Sequence, residues 1–279
     1  MSNKVAFITG ASRGIGAESA AALAKEGYDV AIVARTLANG EVHDHIGSLA
    51  PLPGSLEATA AVVNALGQEA LCLRGDILDE ASMINAAKKT LKHFGHIDLL
   101  FNNAVYQGTG NQETLMDVTK EQIQAIYQGN IFTPLALIKT ILPAMEQRKS
   151  GTVINMLSAT AFLNPPATAA NGGWGFAYPS SKAAFGRMSG ALRVEHADVG
   201  LRIFNLEPGT VITEVMKASG IDKEILKFFR PCTPAAIASV VAWLAENEPL
   251  EEWNPTDVLR GPAIAKKLEL LKAPSLLDT

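Results

Sequence analysis

Short apolar runs recur along the chain at Val5–Ile8, Val30–Val33, Ala70–Leu73, Ile97–Phe101, Val153–Leu157 and Leu201–Leu206. They are continuous rather than alternating, as in strands covered on both faces. Helix-like stretches lie between them, the first alanine-rich from Ala17 to Lys25. Strand and helix alternating in this order predict an α/β fold with a doubly wound parallel sheet and helices on both faces.

Two segments break the rhythm. Between Thr36 and Gly54 stand Gly40, Gly47, Pro51 and Pro53, too many breakers for a regular helix, so a loop near the second strand is expected. From Ala159 to Ala177 runs an irregular segment carrying Phe162, Trp174 and Phe176. Long loops after strands of such sheets shape substrate sites, which makes these three aromatic residues candidate contacts for a hydrophobic or cyclic substrate. Met216, Phe228 and Phe229 follow the sixth run and are read as substrate cover or as an ordinary packed helix. In the tail, Glu246–Glu252 is acidic, Trp253–Leu259 suits a last short strand, Ala263–Leu271 is helix-like, and Ala273-Pro274-Ser275 suggests fraying.

With 279 residues, 48% of them hydrophobic, the chain can bury a substantial core, and a single domain over 1–279 is expected. The net charge of −4 is dispersed without a basic block, which argues against a nucleic-acid partner. Cys72 and Cys232 lack partners at metal or redox spacing and read as reduced thiols of a cytoplasmic protein. No signal-peptide pattern opens the sequence and Val5–Ile8 is too short to span a bilayer, so a soluble protein without a membrane partner is expected. His43-Asp44-His45 lacks a third ligand at recognisable spacing, so no metal is expected; His93, His96 and His196 read as surface or capping groups.

Candidate chemistry begins at Thr9-Gly10-Ala11-Ser12-Arg13-Gly14-Ile15-Gly16, between the first strand and the first helix. A strand entering a helix through a glycine turn aims free N–H groups and the positive helix end at one point, which suits a phosphate. Further on, Tyr178 and Lys182 share one helix face, and a nearby ammonium lowers the pKa of a phenol toward the working range of a general acid/base. Ser158 ends the fifth strand, where a hydroxyl can hold a carbonyl oxygen. Pro134 has no N–H, so the Asn130 carbonyl four residues earlier loses its usual helical partner and a kink is expected.

The turn, with three residues between Gly10 and Gly14 and one between Gly14 and Gly16, resembles the T-G-x-x-x-G-x-G motif of the short-chain dehydrogenase/reductase family. That family's landmarks follow in order: Asn102-Asn103-Ala104, Asn130, Ser158, Tyr178 with Lys182, and Pro208-Gly209 with Thr213. The resemblance covers roughly residues 4 to 215, leaving 216–279 as substrate cover and tail. It implies a Rossmann-like fold in which Tyr178 is the general acid/base, Lys182 lowers its pKa and holds the nicotinamide ribose, Ser158 steadies the substrate oxygen, and Asn130 fixes a water in a proton relay. It also implies cofactor contacts from Gly10, Ser12, Gly14, Ile15 and Gly16, from Asp76 and Ile77, and from Asn102 and Ala104. Pro208, Gly209, Val211 and Thr213 would line the nicotinamide and phosphate side. Asp79 more simply caps the next helix. The chain departs from the pattern at Val105, where Gly is common, at Leu157, where a second serine is frequent, and in the longer gap from Ser158 to Tyr178.

The second strand ends Ile32-Val33-Ala34-Arg35-Thr36, without the carboxylate that binds the adenosine ribose of NAD. Arg35 beside Thr36, and Arg13 in the glycine turn, instead suit the 2′-phosphate of NADP(H). The expected activity is NADP(H)-dependent hydride transfer between the nicotinamide and a ketone or secondary alcohol, by a homodimer or homotetramer acting on a small molecule. Two alternatives stand beside it: a 3-oxoacyl thioester reductase, and a catalytically silent NADP-binding redox sensor.

Overall fold

The computed structural model describes residues 3–43, 51–106, 108–219, 231–249 and 258–271. Its sheet has seven strands: β1 Lys4–Thr9, β2 Tyr28–Ala34, β3 Ala70–Arg74, β4 Leu99–Asn102, β5 Gly151–Met156, β6 Leu201–Glu207 and β7 Val258–Arg260. They lie in the order β3-β2-β1-β4-β5-β6-β7, every pair parallel. The chain winds outward from β1 to β3, returns beside β1 at β4, and winds the other way. That reversal opens a crevice at the carboxyl ends of β1 and β4, the place where open parallel sheets bind ligands.

The predicted fold class is the observed one, and the continuous apolar runs have the expected cause. All four residues of β4 and all six of β5 are buried. On one face the sheet packs against α1 Gly14–Lys25, α2 Leu56–Ala65 and α8 Pro234–Glu246; on the other against α3 Glu80–Phe94, α5 Thr133–Arg148 and α6 Ala177–Glu195. The helices start where local chemistry places them. Asp79 accepts the Ser82 N–H at 3.1 Å and caps α3, as its sequence position suggests. Thr119 and Gln122 form a reciprocal capping box on α4 Lys120–Tyr127, and Thr233 caps α8 ahead of Pro234.

Where a kink was expected before Pro134, the backbone widens into a π-helical turn over Gln128–Phe132, with the Thr133 N–H reaching back to the Gln128 carbonyl. The proline cannot donate to Asn130, and one wider turn absorbs the missing bond. The described residues of both interruptions carry defined local structure. Around the first, the Glu41 carboxylate accepts the N–H groups of Leu37 and Ala38, while Leu56 N–H donates to the Thr36 carbonyl. The second contains two short 3-10 turns, Ala159–Ala161 and Ala169–Asn171. Val105 does not adopt the left-handed backbone of the glycine it replaces; among described non-glycine residues only Lys149 and Glu269 do.

In the tail, β7 covers the last two residues of the expected strand, Val258 and Leu259, together with Arg260, and the following helix α9, Gly261–Lys267, is shorter than the apolar pattern suggested. Trp253, Phe228, Phe229, Asp44, His45 and Ala273-Pro274-Ser275 lie outside the described residues. A short helix, α7 Glu214–Ser219, follows β6.

A buried polar chain ties α6 to the sheet. Asn102 Nδ2 donates to Asn155 Oδ1 (2.9 Å), Asn155 Nδ2 to Ser189 Oγ (2.9 Å), Ser189 Oγ to Asn205 Oδ1 (2.6 Å), and Asn205 Nδ2 to the Gly186 carbonyl (3.1 Å). It crosses β4, β5, α6 and β6 where nearly all else is apolar. Ser189→Ala strands one amide donor and one amide acceptor in the core, and each buried group left without a partner costs about 1–3 kcal/mol. Urea unfolding of that variant should show a loss of about 2 kcal/mol or more, against almost none for an alanine placed at an exposed position of the same helix.

Candidate active site

The glycine turn leaves β1 with its backbone held by β2, since the Gly10 N–H donates to the Val33 carbonyl at 2.8 Å. Gly14 sits at φ +56, and a Cβ on Gly16 would collide with the Gly10 carbonyl oxygen, so neither position accepts a side chain without strain. The turn is braced from β4: Asn103 Nδ2 donates to the Thr9 carbonyl (2.9 Å), and Thr9 Oγ1 accepts the N–H groups of Asn103 (3.0 Å) and Ala104 (2.9 Å). No side chain caps the start of α1, and its first turn contains no acid. The N–H groups of Gly14, Ile15 and Gly16 have no helical acceptor, which suits them to the pyrophosphate of a dinucleotide. Ser12 is buried just before that helix start, and Thr213 lies over Gly14.

Beyond β2, Arg13 does more than point outward. Its Nε donates to the Pro53 carbonyl (2.9 Å), and one terminal nitrogen donates to the Gly54 carbonyl (3.0 Å) and to Thr36 Oγ1 (3.2 Å). Arg13 thereby fastens the end of the Thr36–Gly54 segment to the glycine turn and stands close enough to Arg35 for their charges to interact. The nearest carboxylate of that segment, Glu41, is taken up by Arg74 through two contacts of 2.8 and 2.9 Å, which hold its carboxyl down at about 2. Arg74 also donates to the Arg35 carbonyl. Three guanidiniums and one paired carboxylate therefore surround the end of β2.

Asp76 Oδ1 accepts the Leu78 N–H, and the Ile77 carbonyl accepts Thr133 Oγ1 at 2.7 Å, fixing the turn after β3 against the start of α5. Asn102 contributes its backbone at the end of β4, while its side chain is buried in the polar chain with Oδ1 lacking any partner. Pro208, Gly209 and Val211 form the turn after β6, pinned by a bridge between Val211 and Cys232.

Ser158, Tyr178 and Lys182 come together. Ser158 follows β5, and its Oγ lies 3.0 Å from Thr160 Oγ1 and within hydrogen-bonding reach of the Tyr178 phenol. Lys182, 3% exposed, donates from Nζ to the Met156 carbonyl at 2.8 Å and stands 6.0 Å from the centre of the Tyr178 ring. Asn130 joins from the π turn: Oδ1 accepts the Tyr106 N–H (3.0 Å), and Nδ2 donates to Ser181 Oγ (3.0 Å), which donates to the Tyr178 carbonyl (2.7 Å). The Asn130 side chain thus anchors the first turn of α6.

Protonation differs from the sequence expectation that Lys182 lowers the Tyr178 pKa. Burial pushes the phenol up, the Ser158 hydrogen bond draws it down, and the negative charge of Glu207 pushes it up again. Burial also brings Lys182 down to about 7. A lysine that is itself half neutral near pH 7 and engaged with a carbonyl exerts little pull on its neighbour, so burial prevails for both groups. The sequence reading missed Thr160, Ser181 and Glu207, and named Thr9 only as the first residue of the glycine motif. Thr160 and Ser181 carry no signal outside their contacts, whereas a glutamate ending an apolar strand is a visible irregularity.

Of the candidate substrate contacts, Phe162, Trp174 and Phe176 line one cavity of about 660 Å³ with Leu115, Leu163 and Pro179. It includes Thr160 and Ser180 but neither Ser158 nor Tyr178, so it adjoins the catalytic side chains rather than enclosing them. Met216 lies apart, on α7. Among the described residues no three His, Cys, Asp or Glu side chains converge to hold a metal, and no helix is long and apolar enough to cross a membrane. His93 pairs with Glu69 and His196 with Glu146, while His96 meets Asp98.

Comparison with known proteins bears on the same site. An uncharacterized NAD-dependent oxidoreductase of Mycobacterium tuberculosis is 29% identical over 266 residues, covering 87% of this chain and 89% of its own. A 3-oxoacyl-[acyl-carrier-protein] reductase of Staphylococcus epidermidis is 26% identical over 253 residues, covering 88% and 93%. The crystal structure of a metagenomic short-chain oxidoreductase in complex with NADP superposes with a TM-score of 0.70 at 26% identity, covering 93% of this chain and 98% of the other. The family profile for short chain dehydrogenases matches residues 4–224, from the first strand past the turn that follows β6. With its glycine turn after β1 and Ser158 after β5 at the carboxyl ends of the strands, and Tyr178 and Lys182 on α6, this chain belongs to the short-chain dehydrogenase family.

Proposed function

We propose that the protein is an NADP(H)-dependent oxidoreductase that interconverts a ketone and a secondary alcohol, with Tyr178 as general acid/base. The observation that carries this reading is the group of half-buried Ser158 and Tyr178 with buried Lys182, together with the uncapped start of α1. A nicotinamide cofactor, when bound, would supply the hydride that adds to the carbonyl carbon in the reducing direction. Tyr178 gives its proton to the carbonyl oxygen, which Ser158 orients by hydrogen bonding. A phenol kept protonated by burial is matched to that donor role. Lys182 holds the nicotinamide ribose, and Asn130 both anchors α6 and contributes its carbonyl to the relay that returns a proton to Tyr178.

Support for NADP(H) over NAD(H) comes from the end of β2. Arg35 and Arg13 stand there with Glu41 neutralised by Arg74, so the local field favours the doubly charged 2′-phosphate. The apolar cavity lined by Phe162, Trp174 and Phe176 favours an uncharged hydrophobic substrate of moderate size. The similarity to the staphylococcal reductase supports a second reading, reduction of a 3-oxoacyl thioester. An absorbance assay of NADPH oxidation against ketones and 3-oxoacyl thioesters of graded size separates the two. Tight NADPH binding with no turnover across the panel would instead favour a redox sensor.

Tyr178→Phe should lower kcat by about 10²–10⁴-fold while coenzyme affinity, read by fluorescence quenching, changes little; undiminished turnover would remove Tyr178 from the chemistry. Arg35→Ser should raise KM for NADPH about tenfold and leave KM for NADH nearly unchanged, since one charge-assisted hydrogen bond is lost. A wild-type preference for NADH would refute the cofactor assignment. Lys182 titrates near 7 in the folded protein and near 10.5 unfolded, so between those values the unfolded chain binds more protons. Stability therefore rises with pH across that window, by at most about 1.4 kcal/mol per unit. Urea unfolding should show wild type gaining on Lys182→Met from about pH 7 to about pH 10, and a constant difference would show that Lys182 does not titrate there.

A further inference from the structure

Thr160 has no part in the mechanism above, yet both of its hydrogen-bonding groups meet one atom of that mechanism. Its backbone N–H donates to Ser158 Oγ at 3.3 Å, and its own Oγ1 lies 3.0 Å from the same oxygen. The short turn that carries it, Ala159–Ala161, is closed without that hydroxyl. The Ala161 N–H donates to the Ser158 carbonyl and the Phe162 N–H to the Ala159 carbonyl, each at 3.1 Å. Thr160 carries the only polar side chain of the turn, between two alanines. It also lines the cavity of Phe162, Trp174 and Phe176, whose wall does not include Ser158. One residue therefore belongs both to the apolar cavity and to the immediate surroundings of the serine hydroxyl.

We propose that Thr160 is a positioning residue: its hydroxyl donates to Ser158 Oγ and so leaves the single Ser158 proton aimed at the substrate oxygen. This rests on the reading of Ser158 as the group that orients the substrate carbonyl. A serine hydroxyl has two acceptor lone pairs and one proton. The Thr160 N–H occupies one lone pair and the Thr160 hydroxyl the other, so the Ser158 O–H is held in one direction and is free to donate. Without the Thr160 hydroxyl the Ser158 O–H can turn into the emptied position and away from the substrate.

The same contact strengthens the donor. A hydroxyl that accepts a hydrogen bond is polarised by it and donates more strongly in turn. A donor that is aimed in advance helps most when negative charge builds on the carbonyl oxygen, because no reorientation is then needed. The contribution of Thr160 therefore falls on the chemical step rather than on substrate binding.

The test compares Thr160→Val, Thr160→Ser and Ser158→Ala with the wild-type enzyme, using NADPH and the best ketone from the substrate panel. Valine keeps the branching and size of threonine and its backbone N–H, and removes the hydroxyl. Thr160→Val should lower kcat about tenfold with little change in KM for the ketone or for NADPH. Thr160→Ser restores a hydroxyl and should keep most of the wild-type kcat. Because the effect runs through Ser158, adding Thr160→Val to Ser158→Ala should cost almost nothing further. Wild-type kcat in Thr160→Val would overturn the proposal, whether or not Tm falls. So would a raised KM for the ketone alone, the mark of a residue that merely lines the cavity, an equal loss of kcat in Thr160→Ser, or an undiminished effect of Thr160→Val in the Ser158→Ala background. If Ser158→Ala lowers kcat while Thr160→Val behaves as wild type, only the role of Thr160 fails; if Ser158→Ala keeps wild-type kcat, the reading of Ser158 fails and this inference with it.

Discussion

Lys182 is an ionisable side chain taken out of water, with the half-buried Tyr178 one turn before it on the same helix, and much of the surrounding structure serves to keep them there. A buried lysine held by one carbonyl is costly unless its backbone is fixed. The helix that carries them is therefore fastened at several points. Asn130 and Ser181 hold its first turn, and the chain through Asn155, Ser189 and Asn205 holds its middle to the sheet. Arg193 donates to the Ile203 carbonyl nearer its end.

The same economy governs the cofactor side. The glycine turn cannot brace itself, because the residues that let the backbone approach a phosphate have no side chains to pack. Its support comes from Thr9 and Asn103 across the crevice and from Arg13, which ties the segment ending at Gly54 down onto it. Arg13 thus has a structural task beside any contact with a ligand. The pairing of Glu41 with Arg74 neutralises one negative charge that would oppose a phosphate at the end of β2, while the charge of Glu214 acts on Arg13.

The π turn at Gln128–Phe132 connects these two halves. It exists because Pro134 withholds an N–H, and it brings the Asn130 side chain between the loop after β4 and the start of α6. A covalent feature of one residue thereby aligns two loops that lie far apart in sequence.

The sequence by itself determined the layers of the fold, because continuous apolar runs have only one stable arrangement when helices alternate with them. It also determined where chemistry lies: Gly14 and Gly16 are legible since no other residue fits their positions, and Pro134 since its missing N–H is a covalent fact. Protonation was not legible. The depression of Lys182 and the elevation of Tyr178 arise from the exclusion of water by residues distant in sequence, which spacing along one helix cannot report. Nor was the bridge of Ser181 to Asn130 legible, because a hydrogen bond between a helix start and a distant turn depends on how closely the two are packed. Those distances are set by the packing of the whole sheet, and only the tertiary structure decides them.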